Sequence, residues 1–177
     1  ISAIALGFAP VRPHDSVGPR LAAARAVVLR ALARGDSVYG LTTGLGAAVD
    51  TRLDADAIPA FQARAIRARA VGVGEALSTV EVRAMLAARL VAICHGASGL
   101  SPELVWTIAA MLNAGVHPVV GRIGSLGEAD LSPLAQAFLP LIGEGEAELR
   151  GAVMQGGEAM AAAGIALPTL GPKDGLA

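Results

Sequence analysis

The chain has 177 residues, of which 54% are hydrophobic and 3% aromatic, so Ala, Leu and Val must build the interior of one domain. Its formal net charge of −1 does not favour binding to nucleic acid or to an anionic membrane. Cys94 is the only cysteine, which excludes a disulfide within the chain and favours a reducing, cytoplasmic location.

The hydropathy of the chain indicates burial within a larger assembly. Its mean hydropathy of +0.58 is high for a soluble protein. The longest uncharged run, residues 104–121, contains Asn113, His117 and Pro118, which argues against a membrane-spanning helix. We therefore expect apolar surface that is covered by protein, with no membrane partner.

Helical patterns fill the first half of the chain. Residues 1–16 contain Pro10 and Pro13 and little periodicity, which predicts an arm or loop. Helices are predicted over about residues 19–34, 54–70 and 78–94. The last of these begins with Ser78 and Glu81 at the spacing of a capping box.

The second half is also predicted to be mainly helical. Helices are expected over about residues 101–113, 132–141 and 157–163. Residues 149–154 predict a small hairpin that turns at Arg150 and Gly151. The fold class is therefore all-α, mainly helical, with one small β-hairpin.

A glycine-rich stretch follows the first long helix and contains Tyr39, the only tyrosine of the chain. It reads Tyr-Gly-Leu-Thr-Thr-Gly-Leu-Gly over residues 39–46, a composition typical of a loop. No Lys-Ser or Lys-Thr follows, which argues against a phosphate-binding loop. The stretch alone is compatible with an ordinary turn in which Tyr39 is a packing residue.

A second loop is predicted over residues 124–135, which read Gly-Ser-Leu-Gly-Glu-Ala-Asp-Leu-Ser-Pro-Leu-Ala. Its glycines permit tight turns, and Ser132-Pro133 suits the first turn of the next helix. Glu128 and Asp130 precede that helix, where a carboxylate is favourable. Taken alone, Asp130 is as well explained by N-capping as by chemistry.

Together these loops resemble those of the histidine and phenylalanine ammonia-lyase family. That family has Tyr-Gly-x-x-Thr-Gly-Phe-Gly at the first loop and Gly-Ser-(Val/Leu)-Gly-Ala-Ser-Gly-Asp-Leu-x-Pro-Leu-Ala at the second. Two further stretches, residues 72–75 and 172–177, are similar to its Gly-Val-Gly-Glu and Pro-Lys-Glu-Gly-Leu-Ala segments. Four motifs in the same order make the resemblance specific, and it covers the chain from about residue 17 to its end.

The sequence departs from the family where the prosthetic group would form. In the family, Ala-Ser-Gly cyclises to a methylidene-imidazolone (MIO), the electrophile that activates the substrate. Here Glu128-Ala129 stands in place of that triplet, one residue shorter. We therefore expect no cofactor, although the family implies MIO. Leu45 also replaces the usual Phe, and Arg69 replaces a site histidine.

The resemblance implies roles for individual residues. Tyr39 corresponds to the base that removes the β-proton of the substrate. Glu128 and Asp130 are the other candidates for catalysis, and we expect their loop to face one pocket with Tyr39, within a chain or across a subunit boundary. Substrate binding is expected at Thr43, Gly44, Gly46 and Arg69, and prosthetic-loop positions at Ser125, Gly127 and Ala129. No metal site is expected.

Three functions are compatible with these residues. The resemblance implies an ammonia-lyase that acts on histidine or an aromatic amino acid, with Tyr39 as base. A lyase or hydratase on the same scaffold could instead use Tyr39 with Glu128 or Asp130 and no MIO. A catalytically silent homologue would serve as a structural or partner subunit.

The resemblance also implies an assembly larger than this chain. Family members are homotetramers whose chains are nearly three times as long, and several subunits line each site. Residues 1–177 are thus expected to be the N-terminal, active-site-loop domain. Its partners would be an amino-acid-like substrate, the C-terminal helical bundle of the same protein, and further copies of the chain.

Overall fold

The computed structural model describes residues 1–127 and 130–176. The prediction of a mainly helical fold with a small hairpin is confirmed. In chain order, the α-helices of the described part are α1 (Ser2–Ala5), α2 (Val17–Arg34), α3 (Ile58–Arg67), α4 (Thr79–Cys94), α5 (Pro102–Ala114), α6 (Leu131–Phe138) and α7 (Gly156–Ala162). Short 3₁₀ turns cover Gly46–Ala48, Ala55–Ala57 and Leu139–Ile142. None of the helices in the described residues is both long enough and apolar enough to cross a membrane.

The core lies between α4 and α5, which pack against each other and against α2 and the small sheets. Leu86 of α4 and Val105 and Met111 of α5 are 0% exposed. The predicted capping box starts α4, because the Ser78 side chain accepts from the Glu81 backbone and Glu81 accepts from the Ser78 backbone. Pro102 starts α5, and Gly115 ends it in the left-handed conformation that favours glycine.

Two small antiparallel sheets flank these helices. The predicted hairpin is present as β4 (Glu146–Leu149) and β5 (Ala152–Gln155), and β2 (Val116–Pro118) pairs with β4 to extend it. A separate pair joins β1 (Val73–Ala76) to β3 (Gly121–Ile123). The three strands outside the hairpin were not predicted. The pair β1–β3 brings residues 72–75 to the base of the loop that starts at Gly124.

The N-terminal segment, which was predicted to be an arm or loop, contains the short helix α1. Arg83 of α4, which is 1% exposed, holds this arm. Its Nε donates to the Ile4 carbonyl at 3.0 Å, and its guanidinium carbon lies 4.0 Å from the Phe8 ring centre. Tertiary contacts therefore support a helix too short to be stable by itself.

The C-terminal turn is fixed by the buried carboxylate of Asp174. This carboxylate accepts from the Ser101 amide at 2.7 Å, from the Ser101 hydroxyl at 2.6 Å and from the Gly171 amide at 2.7 Å. Arg25 of α2 approaches it to 3.6 Å and donates to the Pro172 carbonyl. Residues 171–176, which contain the described part of the fourth family-like motif, are thereby held against α2 and the start of α5.

Candidate active site

The loop over residues 39–46 presents the Tyr39 side chain to solvent. Tyr39 is 56% exposed, which argues against the interpretation that it is a core packing residue. Its hydroxyl oxygen accepts a hydrogen bond from the Gly46 amide at 3.1 Å. Gly46 has a φ of 57°, so the loop reverses direction there and returns the amide to the phenol. This hydrogen bond fixes the phenol oxygen against the backbone of the loop.

The hydroxyls of the two threonines make hydrogen bonds to nearby backbone. The Thr42 hydroxyl donates to the Asp36 carbonyl at 2.5 Å and accepts from the Val38 amide at 2.8 Å. Thr43 is 3% exposed and pairs with Arg52 across an isolated β-bridge. The Thr43 hydroxyl, a predicted substrate ligand, lies within this loop and donates to the Gly44 carbonyl at 3.3 Å.

The second loop has an internal hydrogen-bond chain. The Gly127 amide donates to the Ser125 hydroxyl at 3.0 Å, and that hydroxyl donates to the Asp130 carboxylate. Asp130 precedes α6 with a φ of 39°, a left-handed conformation that Asp tolerates better than most residues. Its side chain makes no capping hydrogen bond to α6. The N-cap interpretation of this carboxylate is therefore not supported, because the carboxylate binds Ser125 instead.

Two cavities lie on either side of α3. One, of about 380 Å³, has walls of aliphatic side chains from α3 to α6, and Leu131 and Leu134 of α6 form part of it. The other, of about 550 Å³, is lined by Gly44 and Leu45 of the tyrosine loop. Arg69, just after α3, lines both, and its Nη1 donates to the Ala65 carbonyl at 2.8 Å.

The smaller cavity contains a second arginine. Arg89 of α4 lines it, and its Nε is buried without a hydrogen-bond partner among the described residues. Burial lowers the pKa of the Arg89 guanidinium. Asp174 also lines this cavity, but its oxygens are engaged by Ser101 and Gly171. The cavity thus combines apolar walls with cationic groups, which suits an apolar ligand that carries a carboxylate.

The predicted site residues form two separate groups in one chain. Tyr39, Thr43, Gly44 and Gly46 lie together in the first loop, and Ser125, Gly127 and Asp130 lie together in the second. Among the residues that the structure describes, neither Tyr39 nor Asp130 lines either cavity. Arg69 is the predicted site residue that lines both cavities. It shares one cavity with Gly44 of the first loop and the other with α6, the helix that follows the second loop. Glu128 and Ala129 lie outside the described residues.

The sequence analysis missed one polar residue beside the site. Gln62 of α3 is 0% exposed and contacts both the tyrosine loop and the C-terminal turn. Its position in the sequence could have indicated that it is buried, because Gln62 lies four residues from Ile58 and four from Ile66 on the apolar face of α3. A polar side chain on such a face must find partners inside the protein.

Comparison with known proteins identifies the family. The model of the family described as aromatic amino acid lyase matches residues 1–177. A probable histidine ammonia-lyase from Halobacterium salinarum is 42% identical over 178 residues, which cover 100% of this chain and 34% of that relative. The chain belongs to the aromatic amino acid lyase family. The resemblance stated from the sequence motifs is thereby confirmed.

Solved structures of the aromatic amino acid lyase fold superpose closely on the chain. Ergothionase from Treponema denticola, described as an ergothioneine degrading enzyme, has a TM-score of 0.95 and 32% identity over 99% of this chain and 35% of its own. Phenylalanine aminomutase from Pantoea agglomerans has a TM-score of 0.92 and 31% identity over 98% of this chain and 33% of its own. The chain thus spans about a third of the length of these relatives.

The residues of the second loop do not fit the family's prosthetic group. MIO requires three consecutive residues, with a serine in the middle that loses its hydroxyl. Only two residues stand between Gly127 and Asp130, and neither is serine or glycine. The nearest preceding serine, Ser125, is separated from them by Leu126 and Gly127, and its hydroxyl binds Asp130.

Metal chemistry has no support from the side chains of the described part. Within residues 1–127 and 130–176 there is no group of three or more His, Cys, Asp or Glu side chains that could hold a metal ion.

Proposed function

We propose that the protein is a carbon–nitrogen lyase that acts on an amino acid of the histidine or aromatic type without MIO. The observation that carries this proposal is the second loop, which keeps the family's flanking residues but has Glu128-Ala129 in place of Ala-Ser-Gly. The tyrosine loop, by contrast, keeps Tyr39 and holds its hydroxyl against the Gly46 amide. The chain keeps the residue proposed as the base and lacks the residues that form the electrophile. This combination favours an enzyme that catalyses an elimination over a catalytically silent partner subunit.

The reaction that these groups support is a 1,2-elimination. The Tyr39 oxygen, as phenolate, takes the β-proton of the substrate, and the electrons of that C–H bond form the new C=C bond. The C–N bond breaks, and its electron pair leaves with the nitrogen as a neutral amine. The products are an α,β-unsaturated carboxylate, the amine and protonated Tyr39. General-base catalysis of this kind contributes about 10² to 10⁴ in rate.

Without an electrophile, the substrate nitrogen must already be a good leaving group. A quaternary ammonium meets this need, because it leaves as a neutral tertiary amine and cannot lose a proton to become a poorer leaving group. It also has no lone pair with which to attack an electrophile. Support comes from the similarity to the ergothioneine degrading enzyme, since ergothioneine is the trimethyl betaine of a histidine derivative. We therefore propose a betaine of a histidine-type amino acid as the substrate class.

Arg69 is proposed to bind the substrate carboxylate. It stands where the family has a histidine, and it lies between the tyrosine loop and α6 at the border of both cavities. A guanidinium offers two parallel donors that match a carboxylate. Replacing Arg69 by Gln should therefore raise KM with a smaller effect on kcat; an unchanged KM would remove Arg69 from the binding site.

The acid groups of the second loop are proposed to assist. Asp130, held by Ser125, supplies a carboxylate directly before α6, and Glu128, which lies outside the described residues, precedes Asp130 by two positions in the sequence. A carboxylate there attracts the cationic nitrogen of a betaine in the ground state and can exchange protons with a substrate side chain. Glu128→Gln and Asp130→Asn, assayed separately for turnover, decide which of the two contributes.

A substrate panel tests the proposed function. The full-length protein is incubated with histidine, phenylalanine, N,N,N-trimethylhistidine and ergothioneine, and the unsaturated product is followed by its ultraviolet absorbance. We expect turnover of one or both betaines and none of the free amino acids. MIO formation removes two waters, about 36 Da by stoichiometry, from the mass of the protein. This loss of mass together with ammonia release from histidine would overturn the hypothesis that the reaction proceeds without MIO. No turnover of any substrate would favour a silent homologue.

We also propose that the protein works as a cytoplasmic homo-oligomer, with a tetramer as the expected state. Support comes from the apolar side chains exposed around the second loop: Ile123 is 66% exposed, Leu126 94% and Leu131 59%. The single cysteine, Cys94, is consistent with a reducing compartment. Light scattering on the full-length protein tests the assembly, and a monomeric mass would contradict it.

A further inference from the structure

A single buried glutamine joins the tyrosine loop to the C-terminal turn. The Gln62 side chain accepts from the Gly175 amide through Oε1 at 2.8 Å. Through Nε2 it donates to the Gly40 carbonyl at 3.5 Å, a longer contact. Gly40 follows Tyr39 directly, so one amide group contacts both the catalytic loop and the turn. Gln62 is 0% exposed, so water cannot replace either partner without opening the structure.

The loop and the turn also pack directly against each other. Gly40 has a φ of 67°, and a Cβ added there would lie 2.6 Å from Cδ1 of Leu176. A Cβ added at Gly175 would lie 2.2 Å from the backbone oxygen of Gln62. The Gly175 contact is with backbone, so the turn lies against α3 with no room for a side chain there. The Gly40 contact is with the end of the Leu176 side chain, so the backbone after Tyr39 packs against Leu176 of the turn.

The turn is a firm support because it is anchored from its other side. Asp174, next to Gly175, is held by Ser101 and Gly171 through its buried carboxylate. Arg25 adds a contact from α2. The C-terminal turn and Gln62 therefore connect α2 and the start of α5 to the peptide that follows Tyr39.

We propose that Gln62 is a positioning residue for Tyr39, an inference that rests on the proposed function. By holding the Gly40 carbonyl relative to the turn, Gln62 sets the direction in which the Tyr39 ring leaves the backbone. That direction keeps the Tyr39 hydroxyl at the Gly46 amide. Gln62 acts through the backbone of the loop and touches neither the phenol nor the substrate.

Tyr39 is the only tyrosine in residues 1–177, and the Tyr39→Phe variant assigns its signal in the full-length protein. When 3-fluorotyrosine is incorporated into the full-length protein, the ¹⁹F resonance that is missing from Tyr39→Phe reports the surroundings of the Tyr39 phenol. Gln62→Met keeps the length of the side chain and removes both hydrogen bonds. We expect the Tyr39 resonance to shift or to split into several, because the loop loses its fixed orientation.

Kinetics on the full-length protein give the second readout. A displaced base slows the chemical step, and displacements of about 1 Å can cost about 10²-fold in rate. For Gln62→Met we therefore expect kcat on the active substrate to fall by about ten- to a hundredfold, with KM within about twofold. Partial unfolding of the variant would also lower the measured activity. Both kcat and KM are therefore measured at a temperature at which the variant is folded.

Gln136 of α6 provides a matched control. It makes the same kind of bridge elsewhere, accepting from the Gly121 amide at 3.1 Å and donating to the Gly72 carbonyl at 3.0 Å. Gln136→Met therefore removes two comparable hydrogen bonds and should lower stability to a similar extent. The ¹⁹F resonance of Tyr39 should remain where it is in the wild-type chain.

A second variant guards against misfolding of Gln62→Met. Leu176→Ala trims a half-buried side chain that contacts Gly40 and leaves the hydrogen bonds of Gln62 in place. It too should shift or broaden the Tyr39 resonance. An unchanged resonance in the folded variants overturns the positioning role, whatever their activity. If Tyr39→Phe proves fully active, the proposed function fails, yet the ¹⁹F measurement still decides whether Gln62 orients the tyrosine.

Discussion

The hydroxyl of Tyr39 is the single group on which the proposed chemistry depends. Tyr39→Phe removes this oxygen and the hydrogen bond that it accepts from Gly46, while the half-exposed ring remains. If the phenol is the base, kcat should fall by about 10² to 10⁴, the range for loss of a general base. Thermal unfolding followed by circular dichroism should change little, since an exposed hydrogen bond contributes about 1 kcal/mol or less.

A matched aromatic substitution separates chemistry from general damage. Trp106 on α5 is 43% exposed and lines neither cavity, so Trp106→Phe should leave kcat unchanged. Full activity in Tyr39→Phe would contradict the assignment of the base. A Tyr39→Phe protein that fails to fold would instead return Tyr39 to a structural role.

Residue types revealed only part of this site. Tyr39 could be proposed from the sequence because a tyrosine followed by closely spaced glycines and threonines forms a recognisable motif. Gln62 and the supporting role of Asp174 were not found, since their partners lie far away in the sequence. The position of Gln62 between Ile58 and Ile66 on the apolar face of α3 indicates a buried polar group, but it does not indicate which partners that group finds. The geometry of Asp130 was also hidden, because a carboxylate before a helix normally predicts an N-cap.

At the scale of elements, a carboxylate at the start of α4 joins this helix to β3. Glu81 accepts from both Arg122 terminal nitrogens at 2.9 Å and from the Ser78 amide at 2.8 Å. The Arg122 side chain, followed by the Ser78 side chain and amide, lowers the pKa of Glu81 to about 2. A lowered folded-state pKa stabilises the fold above the ordinary carboxyl pKa of about 4.3. This stabilisation should be lost as pH falls from there towards 2.

Glu81→Gln tests this pH dependence. The wild-type chain should be more stable than the variant in urea denaturation at pH 7, and the difference should shrink as pH is lowered to 3. High salt should also reduce it, because the pair is exposed. Glu103→Gln, in the first turn of α5, is the control and should show a smaller difference at pH 7. A difference that stays constant from pH 7 to 3 would mean that the ion pair does not stabilise α4.

The elements themselves were predicted unevenly, for a physical reason. The long helices and the hairpin carry local signals, such as the Ser78 cap, the apolar faces and the turn at Arg150-Gly151. Strands β1, β2 and β3 are three or four residues long, and each pairs with a segment remote in sequence. Their hydrogen bonds depend on tertiary placement, so no local pattern predicted them.

At the scale of the whole molecule, the carboxylate of Asp174 connects three parts of the fold. Its side chain is 0% exposed and faces Arg25 of α2, whose side chain is 12% exposed. Its oxygens also satisfy the Ser101 amide and hydroxyl at the start of α5 and the Gly171 amide in the turn. Removing the carboxylate leaves the Ser101 and Gly171 amides without their acceptor and Arg25 without its counter-charge in the interior, which is far more costly than removing an exposed pair.

Asp174→Ala is therefore expected to lower the free energy of unfolding by about 3–5 kcal/mol, the usual cost of breaking a buried ion pair. Asp15→Ala is the matched control, because Asp15 pairs with Arg12 at 3.7 Å while both side chains are almost 90% exposed, at 89% and 88%. Its effect should stay below about 1 kcal/mol. Equilibrium urea denaturation of the two variants measures both values.

Since the turn also supports Gly40, Asp174→Ala should in addition broaden the fluorotyrosine resonance of Tyr39, whereas Asp15→Ala should not. Equal losses of stability in the two variants would show that the buried carboxylate does not hold these parts of the fold together.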